Sequence, residues 1–235
     1  MIATVINAVL VLAGSLIGIL FKNRIHERFS SSLVMGLGLC VITIGIISAI
    51  RTENILTVII CMVLGTLIGE AARIEDRLDG IGEFLRSRLA GRGENSRFTE
   101  GFVTASVLFC VGSMAVMGSL EAGINHNYSI IISKGVIDGV TSITFAAAMG
   151  IGVAFSALPI LIYQGALTLL AGWVGPLLSE SVVTEMSAVG GAIIIGIGLN
   201  MLGIGKNRIR VGNMLPAIFL PIAYIPFASW LVSLF

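Results

Sequence analysis

Eight apolar runs follow one another along this chain, and each is long enough to cross a lipid bilayer as a helix. A helix needs about 20 residues to span the roughly 30 Å of hydrocarbon in a membrane. Strands are a poor alternative, because the runs are continuous rather than alternating and are about twice as long as barrel strands. The runs cover residues 2–21, 32–50, 55–72, 99–120, 130–155, 157–178, 186–205 and 212–235.

The composition agrees with a chain that is buried mostly in lipid or against other helices. Of its residues, 56% are hydrophobic and 11% are charged, and the mean hydropathy is +1.03. Such a chain has too little polar surface to cover a water-soluble globule. We therefore predict an all-α, polytopic membrane bundle that forms one domain over residues 1–235. The net charge of +1, with basic residues spread between apolar runs, argues against nucleic-acid binding.

The basic residues in the loops indicate the orientation of the chain, because Lys and Arg favour the cytoplasmic side. The first run is followed by Lys22, Arg24 and Arg28 and has no basic residue before it, which is the reverse of a cleavable signal peptide. With the first terminus outside, Arg51 is the one basic residue in an outer loop. Eight crossings place both termini outside. The uncharged joint at 156–159 leaves open a re-entrant pair formed by runs five and six, with six crossings.

The loop at 73–98 is the only long polar segment. Its apolar residues recur at steps of three and four, which predicts an amphipathic helix on the cytoplasmic membrane surface. A solvated tether is the alternative, because several glycines weaken a helix there. The apolar positions are Ile74, Leu78, Ile81, Phe84, Leu85 and Leu89.

Short elements recur along the chain and predict repeated helix hairpins. The sequence GSLIG at 14–18 returns as GTLIG at 65–69, and KNRI at 22–25 returns at 206–209. The runs before these elements cross in the same direction, so the copies would be related by an axis along the membrane normal. Chance similarity among apolar sequences is the alternative. The fourfold glycine spacing also favours close helix packing.

The fifth run carries two charges, Lys134 and Asp138, one helical turn apart. Charges in hydrocarbon are costly and commonly mark a pathway or a binding site. The segment 128–158 is longer than one span requires, and its glycines predict a broken helix with carbonyls that line a cavity. Asp138, Thr141 and Ser142 could then bind an alkali cation or carry a proton. Two alternatives stay open: a structural ion pair, and a pair at the outer interface.

Other polar groups inside the runs are weaker signals, since each alone is more often an interhelical hydrogen bond. No metalloprotease, hydrolase or phosphate-loop motif occurs, so we expect neither enzyme activity nor a cofactor. The cysteines fall inside apolar runs and form no metal or disulfide pattern. The further candidates for a common path with Asp138 are Ser113, Gln164, Asn200 and Asn7.

Three segments carry a family resemblance: GSMAVMGS at 112–119, KGVIDG at 134–139 and GIGVAFSALPILIYQG at 150–165. They resemble the bacterial inner-membrane proteins that include YqgA and YdfK, and the resemblance covers essentially the whole chain. It implies a multi-pass protein of the bacterial inner membrane, in a family of proposed transporters that has no assigned substrate. It supplies no ligand residues.

Three functional classes follow from these observations. The leading hypothesis is a secondary transporter of a small solute or ion, coupled to Na⁺ or H⁺ through a site at a broken fifth helix. The second is a passive ion channel or pore formed by an oligomer. The third is a membrane scaffold whose cytoplasmic loop binds a partner. The expected partners are the lipid bilayer and a small solute or ion, and the small size of the bundle favours a homo-oligomer.

Overall fold

The computed structural model describes residues 1–22, 27–89, 97–205 and 207–232. Within these residues the chain is almost entirely helical and contains no strand, which confirms the all-α prediction. Three 3₁₀ helices lie at Ile151–Ser156, Gly175–Leu177 and Val211–Phe219. The α-helices are α1 (Ile2–Lys22), α2 (Glu27–Ala49), α3 (Ile55–Ala72), α4 (Ile74–Leu89), α5 (Arg97–Cys110), α6 (Ser113–Ile124), α7 (Ser129–Met149), α8 (Ala157–Leu169), α9 (Ala171–Val174), α10 (Glu180–Met201) and α11 (Pro221–Val232).

In the described ranges, six helical segments are long and apolar enough to cross a membrane, or up to eight if each of two bent helix pairs forms one span. The pair α5 and α6 bends by 59°, and the 3₁₀ helix Val211–Phe219 bends by 46° against α11. Gly112 causes the first bend, because its φ of 131° lies in a region that residues with side chains rarely adopt. Pro221 at the second joint cannot donate a helical hydrogen bond.

The fifth and sixth runs each give a segment of spanning length, α7 and Ile151–Leu169. The sixth run was predicted to extend to residue 178, and this boundary is wrong. Its helix ends at Leu169, and only short helical turns follow. Glycines and Pro176 in the remainder of the run explain the early end, because both residue types weaken or stop a helix.

Glycines bring α1 and α7 into direct backbone contact. A Cβ atom on Gly14 would overlap the carbonyl oxygen of Gly139, and one on Gly18 would overlap that of Ile143. Both residue numbers increase together, so the two helices run parallel. This is the close approach that small residues permit in membranes, where no hydrophobic effect drives helices together.

Gly65 and Gly69 allow a similarly close approach of another helix to α3. Gly65 lies against Ala217 and Gly69 against Asn213, which packs α3 antiparallel to the 3₁₀ helix Val211–Phe219. The repeated sequences GSLIG at 14–18 and GTLIG at 65–69 therefore both allow close helix packing. The hairpin repeat itself stays a prediction. The residues 23–26 and 206 of the repeated basic turns lie outside the described part of the chain.

The remaining packing places α10 at the centre of the bundle. It is the most deeply buried of the spanning helices and lies antiparallel to α2. The outer helices α1, α2 and α3 expose large apolar side chains on their outward faces, which suits contact with lipid tails rather than water. Examples are Val9, Leu16, Leu39, Ile59 and Leu67.

The polar segment after α3 forms the helix α4, as its periodicity predicts. This helix contacts α5 and the 3₁₀ helix Val211–Phe219. Leu78 turns toward the core, whereas Phe84 is mostly exposed. The position of α4 at the cytoplasmic membrane surface stays a prediction. Residues 90–96 of the same loop lie outside the described ranges.

Candidate functional site

Lys134 and Asp138 form a buried ion pair on α7, and each residue is only 6% exposed. The segment 128–158 breaks, as predicted, but the break does not lie at this pair, because α7 runs without interruption from Ser129 to Met149. The glycines Gly135 and Gly139 serve instead to admit the backbone of α1. The break comes at Gly150, at the end of α7, where φ is 89°.

Two amide side chains from other helices complete a polar cluster around this pair. The Asn7 Nδ2 atom on α1 donates to Asp138 Oδ2 at 3.2 Å and to Gln164 Oε1 on α8 at 3.1 Å. Asn7 and Gln164 are both fully buried. We call Asn7, Lys134, Asp138 and Gln164 the polar cluster; it joins three helices within one hydrogen-bonded network.

The polar cluster keeps unused hydrogen-bonding capacity. Asn7 Oδ1 and Gln164 Nε2 have no hydrogen-bond partner among the described residues. The contacts themselves fix the orientation of both amides, since turning Asn7 would set an oxygen against Asp138, and turning Gln164 would set two donors together. One acceptor and one donor therefore stay unsatisfied within the polar cluster, at a cost of about 1–3 kcal/mol for each buried group.

The structure does not bring all of the predicted site residues together. Ser142 is buried, but its hydroxyl donates to the Gly139 carbonyl at 2.7 Å and to the Val11 carbonyl at 3.1 Å, so it ties α7 to α1. Thr141 is half-buried on the same helix and takes no part in the hydrogen bonds that join the cluster. Of the candidates on other helices, Gln164 and the weaker candidate Asn7 join the pair.

Ser113 and Asn200 lie elsewhere. Ser113 is the first residue of α6, next to the bend at Gly112. Asn200 holds the loop after α10: its amide donates to the Ile209 carbonyl and accepts from the Ile209 N–H, both at 2.8 Å. This pairing satisfies the Asn200 side chain locally, so a structural role accounts for it.

An alkali cation at Asp138 would have to compete with Lys134, because that ammonium already occupies Asp138 Oδ2 together with the Asn7 amide. The described residues contain no group of three or more His, Cys, Asp or Glu side chains that could hold a metal ion. The arrangement suits an exchange at the carboxylate, in which an arriving cation or proton releases the lysine.

A largely apolar cavity of about 250 Å³ is enclosed by the bent pair α5 and α6, by the 3₁₀ helix Val211–Phe219, and by α8 and α10. Its wall includes the bend at Gly112 and the thiol-bearing Cys110. Its wall also includes Tyr163, which directly precedes Gln164 on α8, so the cavity and the polar cluster share this helix. Its lining carries no Asp, Glu, Lys or Arg: Leu78, Phe102, Val103, Ser106, Val107, Cys110, Val111, Gly112, Val116, Pro159, Tyr163, Met186, Ser187, Leu215, Ile218 and Phe219.

A second polar network lies where α3 meets α4. Glu75 is 6% exposed; it accepts from the Gly212 N–H at 2.5 Å, and its own N–H donates to Asn213 Oδ1 at 2.7 Å. Burial raises the pKa of Glu75, and the Gly212 hydrogen bond partly opposes this rise. Asn213 in turn donates to Glu70. No sequence pattern reveals this network, because Glu70 and Asn213 are 143 residues apart in the chain.

Glu185 on α10 is also buried, with 2% of its surface exposed. Its carboxylate accepts hydrogen bonds from the Thr52 hydroxyl at 2.7 Å, from the Glu53 N–H at 2.7 Å and from the Asn54 N–H at 3.0 Å. These bonds close the loop between α2 and α3 onto α10. Glu185 therefore acts as a structural clamp.

The fold and the site together define a polytopic α-helical membrane protein with a buried polar cluster. The chain belongs to the family described as "Protein of unknown function (DUF554)", whose model matches residues 2–225. This confirms the family resemblance seen in the sequence.

Two curated relatives are similar over nearly their whole length. The chain is 30% identical to "Uncharacterized membrane protein YdfK" of Bacillus subtilis (strain 168), over 94% of each chain. It is 33% identical to "Uncharacterized protein YqgA" of Escherichia coli (strain K12), over 92% of each chain. No solved structure matches the chain.

Proposed function

We propose that the protein is a secondary transporter of a small solute in the bacterial inner membrane, driven by a cation that binds at Asp138. The observation that carries the proposal is the polar cluster. A carboxylate buried among spanning helices is shared by Lys134 and Asn7, while Asn7 and Gln164 keep an unsatisfied acceptor and donor. Ionisable groups buried within spanning helices commonly mark ion or substrate pathways.

The ion pair supplies the coupling step in this proposal. When a cation or a proton reaches Asp138, the carboxylate no longer holds Lys134, and the ammonium is left without its counter-charge in a low-dielectric site. Helix movement that gives Lys134 another partner or water then lowers the free energy. Cation binding would thus favour a second conformation of the bundle, which is the requirement for alternating access.

The apolar cavity is the proposed solute site, because it shares α8 with the polar cluster: Tyr163 in its wall directly precedes Gln164. A charged solute would be costly there, because no Asp, Glu, Lys or Arg lines the wall. A dry cavity of about 150 Å³ holds benzene, so about 250 Å³ admits a somewhat larger molecule. We therefore expect a small, uncharged and mostly apolar solute.

Flux in sealed proteoliposomes tests the proposal. Uptake of radiolabelled small uncharged solutes is measured under an imposed proton or sodium gradient, for wild type, Asp138→Asn and Lys134→Met. The matched control is Asp76→Asn, which removes an exposed carboxylate on α4. We expect saturable, gradient-driven uptake that both cluster variants abolish and the control keeps.

Two other outcomes would contradict the proposal. Equal uptake in all four proteins would remove Asp138 from the transport step. Flux that rises linearly with solute or ion concentration and follows the membrane voltage would indicate a passive pore instead.

A further inference from the structure

Five buried side-chain atoms lack a hydrogen-bond partner among the described residues, and all five lie on α1 or α8. A buried polar group is normally paired, so five unpaired groups on two adjacent helices require an explanation. The atoms are Thr4 Oγ1, Asn7 Oδ1, Ser15 Oγ, Gln164 Nε2 and Thr168 Oγ1.

Four of these groups, on Thr4, Asn7, Gln164 and Thr168, form a line that leads to Asp138. Asp138 and Gln164 lie on opposite sides of Gly150 in the sequence, yet both contact Asn7, so the chain doubles back at Gly150 and α8 returns along α1. Thr4 lies one turn before Asn7, and Thr168 lies one turn after Gln164. Both threonines therefore lie on the same side of the polar cluster, toward the beginning of α1.

The two threonines bring the line close to the end of the bundle. From Thr4 to Asn7, α1 rises about 4.5 Å, and Thr4 is two residues from the first residue of α1, Ile2; Ser15 lies on the other side of the polar cluster. The unused acceptor of Asn7 and the unused donor of Gln164 belong to amides that are hydrogen-bonded to each other, and a water molecule both donates and accepts hydrogen bonds. Polar sites of this kind are where buried waters bind in proteins.

We infer that α1 and α8 enclose a water-filled proton path that connects the membrane face at the beginning of α1 with Asp138. This inference rests on the proposed function and names the proton as its coupling ion. The proton comes from bulk water and passes along hydroxyls and water to the Asp138 carboxylate, which becomes neutral. Lys134 keeps its own proton and loses its counter-ion. The other titratable groups near this site are Cys110 and, beside it, Tyr163.

Cysteine accessibility in nanodiscs tests the path. In a protein that carries Cys40→Ser, Cys61→Ala and Cys110→Ala, either Thr168 or Ile162 is replaced by Cys. A water-soluble methanethiosulfonate reagent reacts with thiols in water and not with those facing lipid. Ile162 is 63% exposed in the middle of α8 and is the lipid-facing control. We expect Thr168→Cys to react about tenfold faster or more; an equal or slower rate would overturn the path.

A second measurement keeps the native cysteines and covers the case in which the cysteine-free protein does not fold. The infrared C=O band of protonated Asp138 is identified by its loss in Asp138→Asn, and its shift rate after transfer to D₂O is recorded. We expect Thr4→Val and Thr168→Val to slow the shift about tenfold, since each removes one hydroxyl of the relay. Thr168→Ser should restore the rate.

Thr57→Val is the control for the infrared measurement, because Thr57 is also buried but lies on α3. Exchange rates that are unchanged in Thr4→Val and Thr168→Val, or the absence of an Asp138 band at every pH at which the protein stays folded, would overturn the inference. Neither measurement requires solute flux. A protein that transports no solute can therefore still show the path, and the two proposals fail separately.

Discussion

Removal of one member of the Lys134–Asp138 pair should destabilise the protein by several kcal/mol, whereas removal of both should cost little. In Asp138→Asn, the buried ammonium keeps no carboxylate partner. Neutralising a lysine at pH 7 costs about 4.6 kcal/mol, from a reference pKa of about 10.4 and about 1.36 kcal/mol per pH unit. In Lys134→Met, protonating the stranded carboxyl costs about 4.2 kcal/mol, from a reference pKa of about 3.9.

These values are upper limits, because a stranded group can also gain from other contacts. Asn7 still donates to Asp138 in Lys134→Met, and a hydrogen bond to a charged group contributes about 1.5–3 kcal/mol. We therefore expect a loss of about 4 kcal/mol for Asp138→Asn and of about 2–3 kcal/mol for Lys134→Met. The double variant should lie within about 1 kcal/mol of wild type, since no unpaired charge remains.

The two single variants should respond to pH in opposite directions. The penalty of Asp138→Asn should shrink as pH rises toward about 10, because a free amine is easier to neutralise there. The penalty of Lys134→Met should shrink as pH falls toward about 4, because the carboxyl then binds a proton more readily. Unfolding in mixed micelles, followed by far-UV circular dichroism, measures all four proteins, with the lipid-facing Ile137→Val as control.

One result would refute this reasoning. If both single variants and the double variant lie within about 1 kcal/mol of wild type at every pH, the two groups are solvated and do not form a buried pair. A double variant that loses as much as the sum of the single variants would show that each side chain contributes through separate contacts.

Three further predictions concern the packing of α1 on α7, the hydrogen bonds of Glu185 and the buried carboxyl of Glu75. Gly14→Ala should lower the free energy of unfolding by about 2 kcal/mol in the same assay, because its Cβ would overlap the α7 backbone; Gly36→Ala, with no atom within 4 Å of the new Cβ, should be neutral or slightly stabilising. Glu185→Ala should cost about 2–4 kcal/mol by removing the acceptor for the loop between α2 and α3, and proteolysis should then cut that loop faster. Because burial raises the pKa of Glu75, the wild type should lose stability as pH rises through that pKa, whereas Glu75→Gln should show a flatter pH dependence of unfolding.

The number and kind of helices were predictable from the sequence because lipid sets their length. All eight apolar runs reappear as helical segments, six of them long enough to span alone. The bends were harder to predict, since a glycine in an apolar run can either break a helix or admit a neighbour. Gly112 breaks its span, whereas Gly135 and Gly139 pack against α1 within an unbroken helix.

The candidate site was predictable in part. Lys134 and Asp138 were identified because charge in an apolar run is rare, and their contact follows from a spacing of four on one helix. The partners Asn7 and Gln164 were visible only as polar residues in other runs, because no local pattern reveals which helices meet. Asn200 gave the same kind of signal and proved to hold a loop.

The polar network around Glu75 has a mechanical consequence. It ties the first turn of α4 to the beginning of the 3₁₀ helix Val211–Phe219. On the same face of α4, Leu78 lines the apolar cavity together with Leu215 of this 3₁₀ helix. α4 is thereby coupled to the wall of the apolar cavity. A tilt of α4 would displace the 3₁₀ helix that forms part of this wall. Lateral pressure or a change of surface charge that tilts α4 would therefore reach the cavity through the hydrogen bond between Glu75 and Gly212.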